Sequence, residues 1–525
     1  MPNHHGNDRL SWGDALFLYL EREGMPLNIA SVSIFEGAVS LEDCQQFIES
    51  KLPLIPRYLQ RVVAPPFNIG LPTWEFDPKF DVRNHVRQIP LRRGTEAEFK
   101  DVVGKILSAT MDRQRPLWDM TLVSGLKGNR TGVMTRVHHC LADGISGVGL
   151  MNVIMDQNPE APVIPRKRPR LRRPPRKDAL SSLVELWVNS CSSIVNRVLL
   201  TQSEVLDMAE KIVAGGSELP AGELLQMLPE ITSPTERLFF NNTYRGPQKF
   251  AWTEIPMAEI KAVREVSGAK HNDVILALVT TTIRRYAEAH GDVVKGRLLR
   301  LMVPVNVRNG DRPGELGNRI SLLPVTVPLD IRNPKKLLLA VHQRMEFLKR
   351  AHVAELIGLA GGLLSAAPTS LQALVGPFAS RLPVTPFNLV CTNVPGPQFP
   401  LYLLGHKMVH WYPYVPVGGD MALNCAILSY NGNSYFGFSG DVHAAPHLST
   451  LEKYLQLSFA ELKQAFHLKR PRKPGKPRTR KPKPEAKPVA SEKVAAPPVI
   501  TLVKPASAQL PTMPIGKIPA AAAAD

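Results

Sequence analysis

Two adjacent histidines, His138 and His139, stand between a run that predicts a strand and a run that predicts a helix. Residues 131–137 are rich in β-branched side chains, and small residues from 144 to 149 lead into an apolar helix that ends near residue 154. Asp143 and Gly144 follow the pair after three residues. A strand end is a common place for reactive side chains, and a histidine there can take a proton from a hydroxyl near neutral pH.

The histidine pair has two other interpretations. A histidine beside apolar residues is usually a structural residue. His139 and Asp143 are four residues apart, which would align two metal ligands on one face of a helix. The preceding strand pattern and Gly144 oppose a helix through the pair, and Cys140 is the one further Cys or His nearby. We therefore expect no metal.

The basic charge of the chain is confined to two segments. The 525 residues carry a formal net charge of +18. Residues 166–177 hold eight basic residues and no acid, and residues 469–525 hold thirteen basic residues and three acids, so these two segments account for the whole excess. Such runs bind phosphate-rich polyanions, either anionic lipid headgroups or nucleic acid. A solubilising tail is the alternative.

Four segments are predicted along the chain. We expect an N-terminal domain over 1–160 that carries the histidine pair, a basic linker and crossover helix over 161–242, a second domain over 243–468, and a disordered Lys/Pro/Ala-rich tail over 469–525. Alternating helix and strand patterns indicate layered α/β domains. In the second domain, Asn431-Gly432 between two alternating runs predicts a hairpin over 422–439.

The cysteines, the N-terminus and the apolar runs indicate where in the cell the protein acts. Five cysteines are scattered without paired spacing, which indicates a reducing compartment. The N-terminus is polar and shows no signal peptide. The longest charge-free run, 356–380, is interrupted by glycines and prolines and makes a poor membrane-spanning helix. A cytoplasmic protein is expected.

The spacing His-His-x-x-x-Asp-Gly resembles the signature of the CoA-dependent acyltransferase superfamily. Five further segments, in this order along the chain, indicate one family within that superfamily: Pro116-Leu117-Trp118, Asn272-Asp273-Val274, Pro304-Val305-Asn306-Val307-Arg308, Gly317-Asn318-Arg319 and Asn393-Val394-Pro395-Gly396-Pro397. Together they resemble the bacterial wax ester synthase/diacylglycerol acyltransferase family, over roughly residues 9 to 465. The resemblance implies two chloramphenicol-acetyltransferase-like α/β domains with the active-site tunnel between them.

The resemblance also implies catalytic roles. His139 would be the general base, and His138 would fix the geometry of the loop. Asn272 would stabilise the oxyanion, although an Asn before an apolar run is also a favoured helix N-cap. Asp143 would pair with an arginine, for which Arg308 is the candidate.

The resemblance also implies supporting roles for residues outside the reacting set. Gly144 would permit a tight turn and leave room for substrate. Asp273 would support the start of the helix that carries the oxyanion donor. The expected walls of the substrate tunnel are these residues: Pro116, Leu117, Trp118, Asn393, Pro395 and Gly396.

The implied function is an acyl-CoA-dependent O-acyltransferase. It would make triacylglycerol from diacylglycerol, wax esters from long-chain alcohols, or both, without an acyl-enzyme, so Cys140 is interpreted as a packing residue. No cofactor is expected, since acyl-CoA is a substrate. The protein would associate peripherally with the inner membrane or lipid bodies through its basic segments. The alternatives are a condensation-type acyltransferase that uses carrier-bound acyl groups, and a lipid-body or nucleic-acid tether.

Overall fold

The computed structural model describes residues 9–68, 70–142, 144–161, 235–306, 320–351, 353 and 387–468. Asp143, Arg308, the segment 317–319, the run 356–380 and the tail 469–525 lie outside the described residues. Most of the predicted linker, 162–234, lies outside them as well. Predictions on these residues stay predictions.

The first half of the chain alternates helices with strands. The element order is α1 (Trp12–Leu20), β1 (Asn28–Glu36), α2 (Leu41–Lys51), β2 (Gln60–Val63), β3 (Thr73–Phe76), β4 (Val86–Pro90), α3 (Glu96–Leu107), β5 (Trp118–Leu126), β6 (Arg130–His138) and α4 (Gly144–Ile154). Side-chain caps define three of the helix starts, because Ser11, Ser40 and Thr95 each accept a backbone N–H three residues on.

The second half is built in the same manner. Its elements are β7 (Gln248–Pro256), α5 (Met257–Ser267), α6 (His271–Ala289), β8 (Leu298–Asn306), β9 (Ile320–Pro328), α7 (Pro334–Arg350), β10 (Leu389–Pro395), β11 (Tyr402–Leu403), β12 (His406–Tyr414), β13 (Leu423–Tyr430), β14 (Asn433–Asp441) and α8 (Thr450–Ala465). The predicted hairpin is confirmed: Asn431 and Gly432 connect β13 to β14 with φ of 44° and 83°. These left-handed values are what a two-residue turn between paired strands requires.

Two six-stranded sheets form the centres of the two halves. Their strand orders are β11-β12-β1-β6-β5-β4 and β7-β14-β13-β10-β8-β9, and β2 pairs with β3 in a separate two-stranded sheet. Helices pack against both sheets around two buried apolar clusters. The prediction of a two-part α/β fold is confirmed.

Strands β11 and β12 come from the second half of the chain but complete the sheet of the first half. Strand β12 pairs antiparallel with β1, with Ala30 opposite Tyr414. Without this pairing, β1 would present an unpaired backbone edge. The long-range pairing therefore links the two halves through backbone hydrogen bonds.

The two sheets lie in close contact at Gly437 of β14. A Cβ atom at this position would collide with the carbonyl oxygen of Pro413 in β12 and would lie 2.7 Å from Cζ of Phe250. Only glycine leaves room for this contact between the two halves.

We expect Gly437→Ala to destabilise the protein by about 2 kcal/mol or more, because the clash involves a backbone atom that cannot move aside cheaply. The measurement is thermal unfolding, together with soluble yield. Gly149→Ala in α4 is the matched control, since a Cβ there meets nothing within 4 Å and alanine favours a helix. Equal stability of Gly437→Ala and the unmodified protein would show that the sheets do not pack this closely.

Candidate active site

His139 lies in the loop between the end of β6 and the start of α4, as the strand–loop–helix pattern predicts. Its backbone N–H donates to the carbonyl of Leu27 at 3.0 Å. Its ring stacks on Phe17 of α1, with ring centroids 3.8 Å apart and an interplanar angle of 6°. The backbone of His139 is thus held by Leu27 and its ring by Phe17, and both of these residues are near the N-terminus of the chain.

A cavity of about 940 Å³ opens beside His139 and is lined by both halves of the chain. The first half contributes α1, the ends of β1 and β5, and α4, and the second half contributes β8, β9, β10, β12 and β13. The lining is mainly apolar and includes these residues: Phe17, Ile29, Met151, Met302, Leu322 and Leu428. The volume is near the upper end of the usual range for small-molecule sites.

His138 is fully buried under the loop and holds its shape. Its Nδ1 accepts the backbone N–H of Cys140 at 3.1 Å, and its own backbone N–H donates to Leu117 at 3.0 Å. Since Nδ1 is an acceptor, the ring proton of a neutral His138 is on Nε2, which lies 3.4 Å from Oε1 of Glu21. The two histidines therefore face different surroundings, His138 the interior and His139 the cavity.

Glu21, at the end of α1, is the buried charge that organises this loop. Its carboxylate accepts the backbone N–H of Leu27 at 3.0 Å and an N–H of Arg113 at 2.8 Å. Burial opposes the ionisation of Glu21, but His138, the Leu27 amide and Arg113 outweigh it and lower the pKa of the carboxyl to about 2. Glu21, ionised at neutral pH, thus fixes the segment whose Leu27 carbonyl binds His139.

Cys140 is buried, with 1% of its surface exposed. Burial, and secondarily the negative charge of Asp14, raise the pKa of its thiol well above the usual value. Because only the thiolate is a good nucleophile, this thiol is suited to packing.

Helix α6 places Asn272 and Asp273 near the cavity. The N-cap of this helix is Lys270, so the alternative in which Asn272 is the cap is wrong. The side chain of Asn272 is exposed, and its Oδ1 accepts a hydrogen bond of 2.8 Å from Asn393, which lines the cavity. Asn272 itself is not among the lining residues. Its amide nitrogen makes no hydrogen bond within the described part of the chain.

Asp273 is fully buried and acts at the helix start. Its Oδ2 accepts the backbone N–H of Lys270 at 2.9 Å and lies 2.6 Å from Nδ1 of His342 in α7. A carboxylate in the first turn also interacts favourably with the helix dipole. Asp273 therefore fixes the end of α6 from which Asn272 projects.

Of the remaining residues that the sequence predicts to be near the substrate, some line the cavity and others pack elsewhere. Trp118 lines the cavity and stacks on Tyr58 at 4.6 Å. Gly144 also lines it, and a Cβ there would lie 3.2 Å from Cγ2 of Val394, so the glycine lets α4 approach β10.

Four predicted tunnel residues are not among those that line the cavity: Pro116, Leu117, Pro395 and Gly396. Leu117 is fully buried in the core and binds His138 through its carbonyl. Gly396 packs so closely on β13 that a Cβ would collide with the carbonyl of Ser429. Leu117 and Gly396 are therefore packing positions and not walls of the cavity.

Sequence reasoning did not find the roles of Phe17, Glu21, Arg113 and His342. Each acts through a partner between 69 and 122 residues away along the chain, as for Glu21 with Arg113 and His342 with Asp273. No local spacing signals such a contact. Within the described ranges, no group of three or more His, Cys, Asp or Glu residues could hold a metal ion.

A histidine at a strand end, beside a large apolar cavity between two mixed α/β halves, is the arrangement that the sequence resemblance to CoA-dependent acyltransferases implied. The chain belongs to the wax ester synthase/diacylglycerol acyltransferase family. The model of the family's catalytic domain matches residues 10–275, and the model of its C-terminal domain matches residues 316–463. The chain is therefore an acyltransferase, and the family resemblance read from the sequence is confirmed.

Named relatives agree with this assignment. Two proteins of Mycobacterium tuberculosis carry the name "probable diacylglycerol O-acyltransferase". One is 27% identical over 464 residues, which cover 86% of this chain and 94% of the relative. The other is 26% identical over 469 residues, which cover 87% of this chain and 99% of the relative.

Solved structures share the fold. A wax ester synthase/diacylglycerol acyltransferase from Marinobacter aquaeolei VT8 is 24% identical, with a TM-score of 0.61 over 88% of this chain and all of that chain. The first condensation domain of the calcium-dependent antibiotic synthetase is 14% identical, with a TM-score of 0.55 over 88% of this chain and 97% of that domain. At these identities the likeness concerns the fold alone.

Proposed function

We propose that this enzyme transfers the acyl group of an acyl-CoA to the hydroxyl of diacylglycerol, of a long-chain alcohol, or of both. The products would be triacylglycerol and wax esters. The observation that carries the proposal is the position of His139 on the wall of a mainly apolar cavity of about 940 Å³. Long alkyl chains gain free energy by leaving water for such a surface.

In this reaction His139 takes the proton of the acceptor hydroxyl, and the oxygen attacks the thioester carbonyl carbon. The tetrahedral intermediate collapses, the C–S bond breaks, and the CoA thiolate takes the proton from His139. The products are an ester and free CoA, and the transfer needs neither an acyl-enzyme nor a cofactor. The face of Phe17 against the His139 ring supports this role, because an aromatic face stabilises a cationic imidazolium.

Asn272 would donate a hydrogen bond to the oxyanion of the tetrahedral intermediate. Two observations support this role. Its oxygen is held by Asn393 on the cavity wall, and its amide nitrogen makes no hydrogen bond within the described residues. An amide held in this way is oriented before the charge develops, which is the condition for efficient stabilisation.

We expect Asn272→Ala to lower kcat by about 100-fold or more, with a smaller effect on the KM for acyl-CoA. Asn272→Asp is a useful companion, because it keeps an oxygen for Asn393 but has no N–H to donate, and it should lose a similar share of kcat. Steady-state kinetics and thermal unfolding are the measurements. A loss of stability with unchanged kcat would make Asn272 a structural residue that acts through its contact with Asn393.

The location that we propose is the cytoplasmic side of the inner membrane or the surface of lipid bodies. The basic segments 166–177 and 469–525 support this, because each basic residue near an anionic lipid surface adds attraction. None of the helices in the described ranges is both long and apolar enough to cross a membrane.

We expect deletion of residues 469–525 to weaken association with anionic vesicles while turnover on dispersed substrates persists. Vesicle sedimentation and CoA release measure the two effects separately. Binding to DNA, lost on the same deletion, would favour a nucleic-acid partner for this segment.

The test of the proposed function is release of CoA from palmitoyl-CoA by the purified protein, with diacylglycerol, hexadecanol or no acceptor. Release that depends on an acceptor, and that disappears in His139→Ala, would support the reaction and identify the acceptor. No release with either acceptor, combined with transfer from a carrier-bound acyl group, would favour a condensation-type enzyme.

A further inference from the structure

The hairpin of β2 and β3 ends in an exposed aromatic tip. Phe67 is 83% exposed, the largest exposure among the large apolar side chains in the described ranges. Its backbone is left-handed, with φ of 53° and ψ of 17°. This conformation is rare for a bulky residue. A ring that is exposed in this way gains little burial from the fold, and backbone strain of this kind persists mainly at functional sites.

The sequence around Phe67 is apolar as well. The segment 62–74 contains no charged side chain, although 21% of the whole chain is charged. A loop without charged side chains can enter an apolar environment at a lower free-energy cost than a charged loop. The segment is bounded by Arg61 and Glu75, which oppose each other across the hairpin.

This hairpin adjoins segments that line the cavity both beside its loop, at Pro72 and Thr73, and at its base, near Tyr58. The backbone N–H of Leu10 donates to Pro72 at 2.9 Å, and Arg9 bridges to Thr73. The residues that follow, 11–13, line the cavity. Tyr58, two residues before β2, lines it too. The exposed tip is therefore attached to the structure that surrounds the acyl-transfer site.

We propose that the tip of this hairpin, residues 64–68, inserts into the surface of a phospholipid membrane. The proposal rests on the proposed function, since a water-insoluble acceptor has to enter the cavity from a lipid phase. Transfer of the Phe67 ring from water into the interfacial region is favourable, and aromatic side chains are enriched at that depth. Arg57, which lies over the Trp74 ring at 4.7 Å, would stay at the level of the headgroups.

The experiment is sedimentation of the full chain with phosphatidylcholine vesicles in about 0.5 M salt, where attraction by the basic segments is screened. We expect Phe67→Ser to weaken the partition into vesicles about tenfold. Phe399→Ser makes the same chemical change at another exposed ring, which is 43% exposed, and should leave the partition unchanged. Equal partition of Phe67→Ser and the unmodified protein would overturn the proposal.

Phe67→Gly separates insertion from folding. Glycine adopts a left-handed φ without strain, so this variant should keep or raise the Tm while it loses vesicle binding. A lower Tm with unchanged vesicle binding would make Phe67 a folding residue and overturn the proposal. A change in oligomeric state by light scattering, again with unchanged vesicle binding, would assign the tip to self-association and overturn it as well.

Turnover gives a readout that separates this proposal from the proposed function. With an acceptor embedded in vesicles, Phe67→Ser should show a higher KM, while kcat with a short, water-soluble alcohol should match the unmodified protein. Absence of turnover in both the unmodified protein and the variants would count against the proposed function. The partition into vesicles would still decide the role of Phe67.

Discussion

Replacement of His139 by alanine is expected to lower turnover by at least about 100-fold, because the acceptor hydroxyl then loses its general base. The fold should persist. The His139 ring is half-buried on the cavity wall, and the backbone hydrogen bond to Leu27 does not depend on the side chain. The measurement is CoA release from palmitoyl-CoA with the preferred acceptor, together with a thermal unfolding curve.

His443→Ala is the matched control. It is the same substitution at an exposed histidine that is far along the chain from the loop of His139. It should keep the turnover of the unmodified protein. Near-normal turnover of His139→Ala would remove His139 from the mechanism, and the rest of the cavity wall would then have to supply the base.

Replacement of Glu21 by glutamine is expected to destabilise the protein at pH 7 by about 3 kcal/mol, the free energy that corresponds to a pKa lowered from 4.5 to about 2. The sign follows from the direction of the shift. The folded state binds the proton of Glu21 less readily than the unfolded state. The stabilisation is therefore complete above about pH 4.5 and is lost as the pH falls towards 2.

The difference between Glu21→Gln and the unmodified protein should therefore be largest at pH 7 and should shrink to about half or less at pH 3. Unfolding by urea at the two pH values measures it. Glu265→Gln is the control, because the Glu265 side chain is 65% exposed and lies 3.7 Å from its lysine partner. Such a surface pair contributes little. A pH-independent difference would mean that Glu21 acts through its shape and not its charge.

Glu21→Gln should also affect catalysis. The carboxylate fixes the segment whose Leu27 carbonyl binds the backbone of His139. A looser segment would leave the base less well oriented, so kcat should fall even at temperatures at which the variant is folded.

Local patterns determined the elements that carry the site. The β-branched run before His138 and the small residues after Gly144 predicted β6, the loop and α4. Asn431 and Gly432 predicted the turn between β13 and β14. In each case the cause lies within a few residues, because side-chain branching and the left-handed tolerance of Asn and Gly act on the backbone next to them.

One local pattern was misleading. An Asn before an apolar run favoured an N-cap at Asn272, but the helix begins earlier, after Lys270. Asp273 accepts the backbone N–H of Lys270, and Asn272 is instead bound by Asn393, 121 residues away. The Asn272 amide takes part in a tertiary contact, which no local spacing could indicate.

By itself, the sequence determined the family, the reactive loop and the two-part α/β architecture, since periodicity, turn residues and ordered motifs depend on neighbours in the chain. Only the tertiary structure decided that β12 completes the first sheet, that Glu21 and Arg113 hold the histidine loop, and that Phe67 projects from the hairpin beside the cavity. Strand pairing, charge burial and surface exposure depend on residues far apart in the chain, and these meet only when the whole fold has formed.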